Sequence, residues 1–137
     1  MSTVKTSTTV PVPAEKVWEA IGNFNALPEW HPGVEKSTLE DGGKVRRLKL
    51  LNGAELVERL EQHDDDEYTY TYSVVAGPLP VMNYSSTIKV RPTEDGGAEI
   101  EWSGDFEPVG AAAEAAKTIQ NVYESGLENL QKMFSGK

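Results

Sequence analysis

The acid–base chemistry open to this chain has few centres, because the sequence holds two histidines and no cysteine. His31, within Leu27-Pro28-Glu29-Trp30-His31-Pro32, is the side chain that titrates nearest neutrality in an apolar setting. His63 adjoins Asp64-Asp65-Asp66, which reads as a solvated hairpin tip. That run lacks the glycine and distal glutamate of a calcium loop, and two histidines cannot form a three-histidine zinc site. Without cysteine there is no disulfide framework, thiol nucleophile or thiolate metal site. No glycine loop of the phosphate-cradling kind occurs, and Ser73, Ser85 and Ser86 have no nucleophile-elbow context. No metal and no cofactor is expected.

The most informative groups lie around Asn52-Gly53. A two-residue turn there would mix charges and leucines on both faces of the hairpin. A three-residue loop, Asn52-Gly53-Ala54, pairs Leu50 with Leu56, Leu48 with Glu58 and Arg46 with Leu60, and so separates the faces. Arg47, Lys49, Glu55, Arg59 and Glu61 then face water. Arg46 and Glu58 fall in phase with the leucines and point inward, diagonally across the hairpin. A carboxylate in that position must be paired, hydrogen-bonded or raised in pKa. It forms either a structural ion pair, a snorkelling edge pair or part of a site.

Other chemistry-bearing residues follow the same phase test. In Met82 to Arg91, the residues Met82, Tyr84, Ser86, Ile88 and Val90 share one face, so Tyr84 and Ser86 are inward hydroxyls. In Ala98 to Phe106 the inward set is Ile100, Trp102, Gly104 and Phe106, which turns Glu101 outward. Tyr123 and Leu127 lie on the apolar stripe of a long C-terminal helix. Gly126 interrupts that stripe, either for close packing or to leave ligand space, at a cost of up to ~1 kcal/mol relative to alanine.

The elements that must position these groups are legible from periodicity. Thr3 to Val10 is a strand, stopped by Pro11-Val12-Pro13. Ala14, Val17, Trp18 and Ile21 give a short amphipathic helix over Pro13 to about Gly22, and Leu27 to Pro32 a second helical turn. The period then changes to two. Strands are expected at Val34–Leu39, Val45–Leu51, Glu55–Gln62, Tyr68–Val75, Met82–Arg91 and Ala98–Phe106, separated by Asp-Gly, Asn-Gly and Gly-Pro turn chemistry and by the acidic run Asp64-Asp65-Asp66. Ala112 to Phe134 has helical spacing with Lys117, Glu124, Glu128 and Lys132 opposite the apolar stripe. Segregated strands and helices imply an α+β fold, about seven antiparallel strands with helices on one face.

Composition bounds the rest. The 137 residues carry 22 acidic and 13 basic side chains, a net charge of −9. That balance argues against phosphate-tracking nucleic-acid binding or attachment to anionic membranes. No apolar run approaches a membrane span and no signal-peptide core follows Met1. One soluble cytoplasmic domain over residues 1–137 is expected.

Val10-Pro11-Val12-Pro13-Ala14-Glu15-Lys16-Val17-Trp18, followed by Leu27 to Pro32, resembles the opening of the START-like helix-grip superfamily. Its closest match there is the polyketide cyclase/dehydrase-like (SRPBCC) branch. Glu58-Arg59-Leu60-Glu61, Ser73-Val74-Val75, Gly77, Asn83-Tyr84 and Ser86 are also similar to the plant abscisic-acid receptors. The resemblance implies a curved seven-stranded sheet gripping the C-terminal helix around an apolar cavity. It places His31 where the receptors hold the lysine that meets the ligand carboxylate. It matches Arg46, Glu58, Tyr84 and Ser86 to polar cavity positions, and Asn129 to a helix asparagine. The short Asn52-Gly53-Ala54 loop and Gly77-Pro78-Leu79-Pro80-Val81 depart from the receptors' gate and latch, which argues against abscisic acid itself and against phosphatase binding.

The function implied is binding of a small hydrophobic or amphipathic molecule by a carrier or sensor. Trp30, His31, Arg46, Leu48, Glu58, Tyr84, Ser86, Trp102, Tyr123 and Leu127 would line or orient it, with Gly77 to Met82 as a lid. An alternative is a metal-free cyclase/aromatase or dehydratase, with His31 or Glu58 as base and Tyr84 as donor. A third is a partner-regulating domain. Whether the cavity is open, or filled by Trp102, Tyr123 and Phe106, is for tertiary structure to decide.

Overall fold

A computed structural model describes residues 2–135. Seven strands form one antiparallel sheet: β1 (Ser2–Val10), β2 (Val34–Glu40), β3 (Val45–Leu50), β4 (Glu55–Asp64), β5 (Thr69–Ala76), β6 (Val81–Pro92) and β7 (Ala98–Pro108), in the order β1-β7-β6-β5-β4-β3-β2. Consecutive hairpins build β2 through β7, and β1 closes onto β7 with Thr6 opposite Trp102. Between β1 and β2 run α1 (Ala14–Ile21), a 3-10 turn (Phe24–Ala26) and α2 (Leu27–Trp30); α3 (Ala112–Ser135) follows β7. This is the helix-grip α+β architecture expected from the segregated periodicities.

The helices form where the apolar spacing predicts. Ala14, Val17, Trp18 and Ile21 are the buried face of α1, and Ala115, Ile119, Tyr123, Leu127 and Leu130 that of α3. α3 packs along β1 and β7. The sheet curves because it carries bulges in β2/β3, twice in β4/β5 and in β6/β7.

Two details of register differ from expectation. The β3–β4 loop is Leu51-Asn52-Gly53, with Leu50 N–H donating to the Ala54 carbonyl at 2.9 Å. Gly53, at φ 88°, supplies the left-handed residue. The pairing therefore slides by two residues, so Arg46 stands directly opposite Glu58 and Leu48 opposite Leu56. An even slide preserves the faces, and both charged groups still point inward. In β6 a bulge between Met82 and Ser85, with Asn83 at φ 52°, removes Met82 from the inward set and leaves it exposed. Tyr84, Ser86, Ile88 and Val90 remain buried.

The end of the sheet where β3–β4, β5–β6 and β7–α3 are joined carries Leu51, Val75, Met82 and Val109, all exposed. They are scattered along the sequence, so no apolar run announces them.

Candidate functional site

The inward carboxylate of Glu58 is 3% exposed and the guanidinium of Arg46 is fully buried. Arg46 Nε donates to Glu58 Oε1 at 2.8 Å, and Nη2 approaches the same oxygen at 2.7 Å. Arg46 Nη1 donates to the Phe24 carbonyl at 2.6 Å. The guanidinium lies 4.1 Å over the Phe24 ring and 5.0 Å from that of Tyr72, which favours a desolvated cation. Burial works against the Arg46 charge, but Glu58 and the tyrosines outweigh it and hold its pKa high. Burial also raises Glu58 above the ordinary carboxylate range, against the pull of Arg46. Among the described residues, both contacts to the Glu58 carboxylate are made by Arg46 at Oε1.

Between the sheet, α2 and α3 lies a cavity of about 140 Å³. Of the residues expected at a ligand, His31, Leu48, Glu58, Tyr84 and Trp102 line it. Trp30, Arg46, Ser86, Tyr123 and Leu127 stand behind that wall, as its buried support. Leu27, Leu56, Tyr72, Leu79, Ile119 and Val122 line it without having been singled out. For Tyr72 a signal existed: Tyr70, Tyr72 and Val74 share one phase of β5, and Tyr72 sits opposite Leu60 and Ser86. The cavity is small because aromatic rings occupy the space. Trp102 stacks on Tyr123 at 4.6 Å between centroids and meets Trp30 at 5.4 Å. A wider hollow of about 460 Å³ lies under the β5–β6 loop, and Leu79 and Tyr84 border both spaces.

A polar chain braces the back wall. Tyr84 and Tyr123 are joined hydroxyl to hydroxyl, and the Tyr123 hydroxyl lies 2.8 Å from Ser86 Oγ. Ser86 donates to the Ser103 carbonyl at 2.9 Å. Trp102 Nε1–H points at both Ser86 Oγ, 3.0 Å, and the Tyr72 hydroxyl, 3.1 Å. Burial pushes the Tyr72, Tyr84 and Tyr123 phenols above their usual range, so they stay neutral. Gly104 makes room for the chain: a Cβ there would collide with the Tyr123 hydroxyl and come within 2.7 Å of Tyr84 Cε1.

His31 is positioned by backbone on both sides. Its Nε2–H donates to the Val122 carbonyl at 2.8 Å, and its Nδ1 accepts from Gly33 N–H at 3.0 Å. A carbonyl can only accept and an amide N–H only donate, so these bonds specify the neutral Nε2–H tautomer. Both nitrogens are thereby engaged, and the ring meets the cavity through its carbons. Asn129 donates to the Trp30 carbonyl at 2.8 Å, holding the end of α2 on α3 rather than facing the cavity. Glu101 lies on the outer face between Lys5 and Arg91, and Trp102 points inward. His63 lies outside the cavity, beside α1, where its Nε2 donates to the Gly22 carbonyl at 2.8 Å and its ring stacks on Tyr70. The bulge after Leu60 shifts the phase of β4 and puts His63 opposite Tyr70.

His31 carries a pH prediction. Burial, with Arg46 adding to it, lowers its pKa below 6.5, although the Val122 carbonyl pulls the other way. The unfolded chain therefore takes up this proton first as pH falls. The contribution is complete above pH 6.5 and is lost below it, at up to about 1.4 kcal/mol per pH unit. Glu58 slopes oppositely above 4.5, so the readout is a difference. Urea denaturation of wild type and His31→Gln between pH 7 and 5 should give converging stabilities; parallel curves would show that His31 does not take part.

Comparison with known proteins adds the following. Residues 1–134 match the family model described as polyketide cyclase/dehydrase and lipid transport. The chain is similar to MLP-like protein 423 of Arabidopsis thaliana, 34% identical over 72% of this chain and 71% of that one. It is 34% identical to the abscisic acid receptor PYL6 of the same plant over 63% of this chain, and spans 44% of that receptor's length. Among solved structures, the protein XoxI from Bacillus cereus superposes with a TM-score of 0.95 at 43% identity, covering 98% of this chain and 96% of that one.

Proposed function

The chain belongs to the polyketide cyclase/dehydrase and lipid transport family, and on that premise we propose that it binds a small hydrophobic or amphipathic molecule between sheet and α3, as a carrier or sensor. One observation carries the reading: an apolar cavity is lined by the buried residue Glu58, whose Oε1 is bonded by Arg46 and whose Oε2 has no hydrogen-bond partner among the described residues. A carboxylate oxygen left open beside an apolar space supports a ligand that completes it. Leu79 and Tyr84 stand between the cavity and the wider hollow, so movement of the Gly77-Pro78-Leu79-Pro80 loop would admit the ligand.

The cyclase or dehydratase reading is second, and Glu58 is what favours it: burial makes this carboxylate a stronger base than an ordinary one and leaves one oxygen toward the cavity. His31 and Tyr84 support it less, because their ring nitrogens and hydroxyl are engaged in the protein.

The test is native mass spectrometry of gently purified protein, with organic extraction of whatever is released. A stoichiometric small molecule is expected, absent from Ile119→Phe, which fills the cavity while retaining the far-UV signal. Apo mass alone, with no thermal shift from aromatic or lipid compounds in either protein, would refute the binding reading.

A further inference from the structure

Counting protons through the buried network shows what the cavity can offer a guest. The Ser103 carbonyl can only accept, so Ser86 spends its one proton there, at 2.9 Å. The lone pairs of Ser86 then receive Trp102 Nε1–H and the Tyr123 hydroxyl proton. Tyr123 has no proton left for Tyr84, so Tyr84 is the donor in their mutual bond. Tyr84 lines the cavity but has already given its proton away. His31 is equally committed, donating to Val122 and accepting from Gly33.

The buried cation is out of reach too. Arg46 donates through Nε to Glu58 and through Nη1 to the Phe24 carbonyl, its Nη2 lies 2.7 Å from Glu58 Oε1 without a hydrogen bond, and the residue stands outside the cavity lining, against the Phe24 ring. What remains facing the cavity is the acceptor Glu58 Oε2, together with Tyr72. The Tyr72 oxygen shares Trp102 Nε1–H with Ser86 Oγ, and Tyr72 lines the cavity. The polar complement is thus a carboxylate and one phenol. An anionic guest would meet the Glu58 carboxylate first, because the Arg46 cation that pairs with it stands outside the cavity lining.

Size narrows the class further. The 140 Å³ cavity is close to the ~150 Å³ apolar cavity that admits benzene.

We infer that the guest of this cavity is a compact, neutral, single-ring molecule bearing its own hydrogen-bond donor, the phenol class, and that carboxylates are rejected. The inference rests on the cavity being a ligand site, and it goes beyond that reading by fixing the polarity and size of the ligand. The ring would sit among Leu48, Leu56 and Ile119, with its hydroxyl directed at Glu58.

The experiment is titration of the full chain at pH 7.5 by amide NMR, with phenol, benzene, benzoate, dodecanol and laurate in separate series. Phenol is expected to bind at least about tenfold more tightly than benzene or benzoate, the effect of one hydrogen bond to a charged group. Glu58→Gln should abolish the preference of phenol over benzene. Since that variant leaves Arg46 without its partner, Ile119→Phe serves as the folded control and should lose phenol binding. Benzoate binding as tightly as phenol would overturn the inference while leaving the cavity reading intact. Binding of dodecanol or laurate without any single-ring compound would overturn the size assignment and again spare the reading. No shift with any of the five compounds would overturn both.

Discussion

Replacing Arg46 with methionine is expected to destabilise the protein by about 3–5 kcal/mol at pH 8, and by clearly less at pH 5. The change strands Glu58, a carboxylate 3% exposed, in an apolar wall. Such a group can escape only by taking a proton. Its pKa is already raised by burial while Arg46 opposes the rise, so losing Arg46 moves it higher still. Below 4.5 the folded and unfolded carboxyls are both protonated, and this part of the cost disappears. Above the folded pKa the cost is present in full. Glu58→Leu has no such escape, because a guanidinium does not deprotonate in a protein. Its cost at pH 8 should be of the same size, and the stability of this variant itself should carry no Glu58 slope with pH. The double variant Arg46→Met/Glu58→Leu should lose far less than the sum, since well-packed apolar replacements for a buried pair are often close to neutral. Urea denaturation of all four proteins at both pH values measures this. Additive losses, or an Arg46→Met loss equal at pH 5 and pH 8, would contradict the coupling.

Gly126→Ala is the second change with a large expected effect, and its sign is the point. Helix propensity alone favours alanine over glycine inside α3 by up to ~1 kcal/mol. In this fold a Cβ at position 126 would stand 2.7 Å from His31 Cδ2 and 3.0 Å from the rings of both Trp102 and Trp30. None of these rings is free to retreat. His31 is pinned at both nitrogens, Trp102 lies against Tyr123 on its other side, and Trp30 is fully buried. Overpacking a closed core costs about 1–3 kcal/mol, which exceeds the propensity gain. A net loss of stability is expected, together with altered near-UV circular dichroism from the two tryptophans. A gain in denaturation midpoint would mean that the space behind His31 is not closed. Of the two roles open to this glycine, close packing is the one the geometry supplies.

These effects divide the sequence from the structure. The pattern of residues determined the elements and their faces. Six period-two segments and three helical ones were legible because side-chain period reports directly on which face is buried, and the first strand was legible from its threonine and valine content. Arg46 and Glu58 were placed inward even though the loop was misplaced by one position, since a slide of two residues leaves the faces unchanged. An odd displacement is not forgiving in this way. The bulge at Asn83 turned Met82 out and the bulge after Leu60 brought His63 against Tyr70. Bulges arise from how neighbouring strands accommodate curvature, and single-strand periodicity carries no sign of them.

The site divides along the same line. Phase identified Leu48, Glu58, Tyr84 and Trp102 as inward, the family resemblance added His31, and all five line the cavity. Only the tertiary structure decided that His31 and Tyr84 are held by backbone and by Tyr123, whereas Glu58 keeps a free oxygen. It also decided that Trp30, Tyr123 and Trp102 fill most of the grip and leave about 140 Å³. The reason is physical. A sequence lists donors, acceptors and volumes one residue at a time, but which proton is spent and which space is left depend on partners far apart in the chain. Tyr84 and Tyr123 are 39 residues apart, and His31 and Val122 are 91 apart.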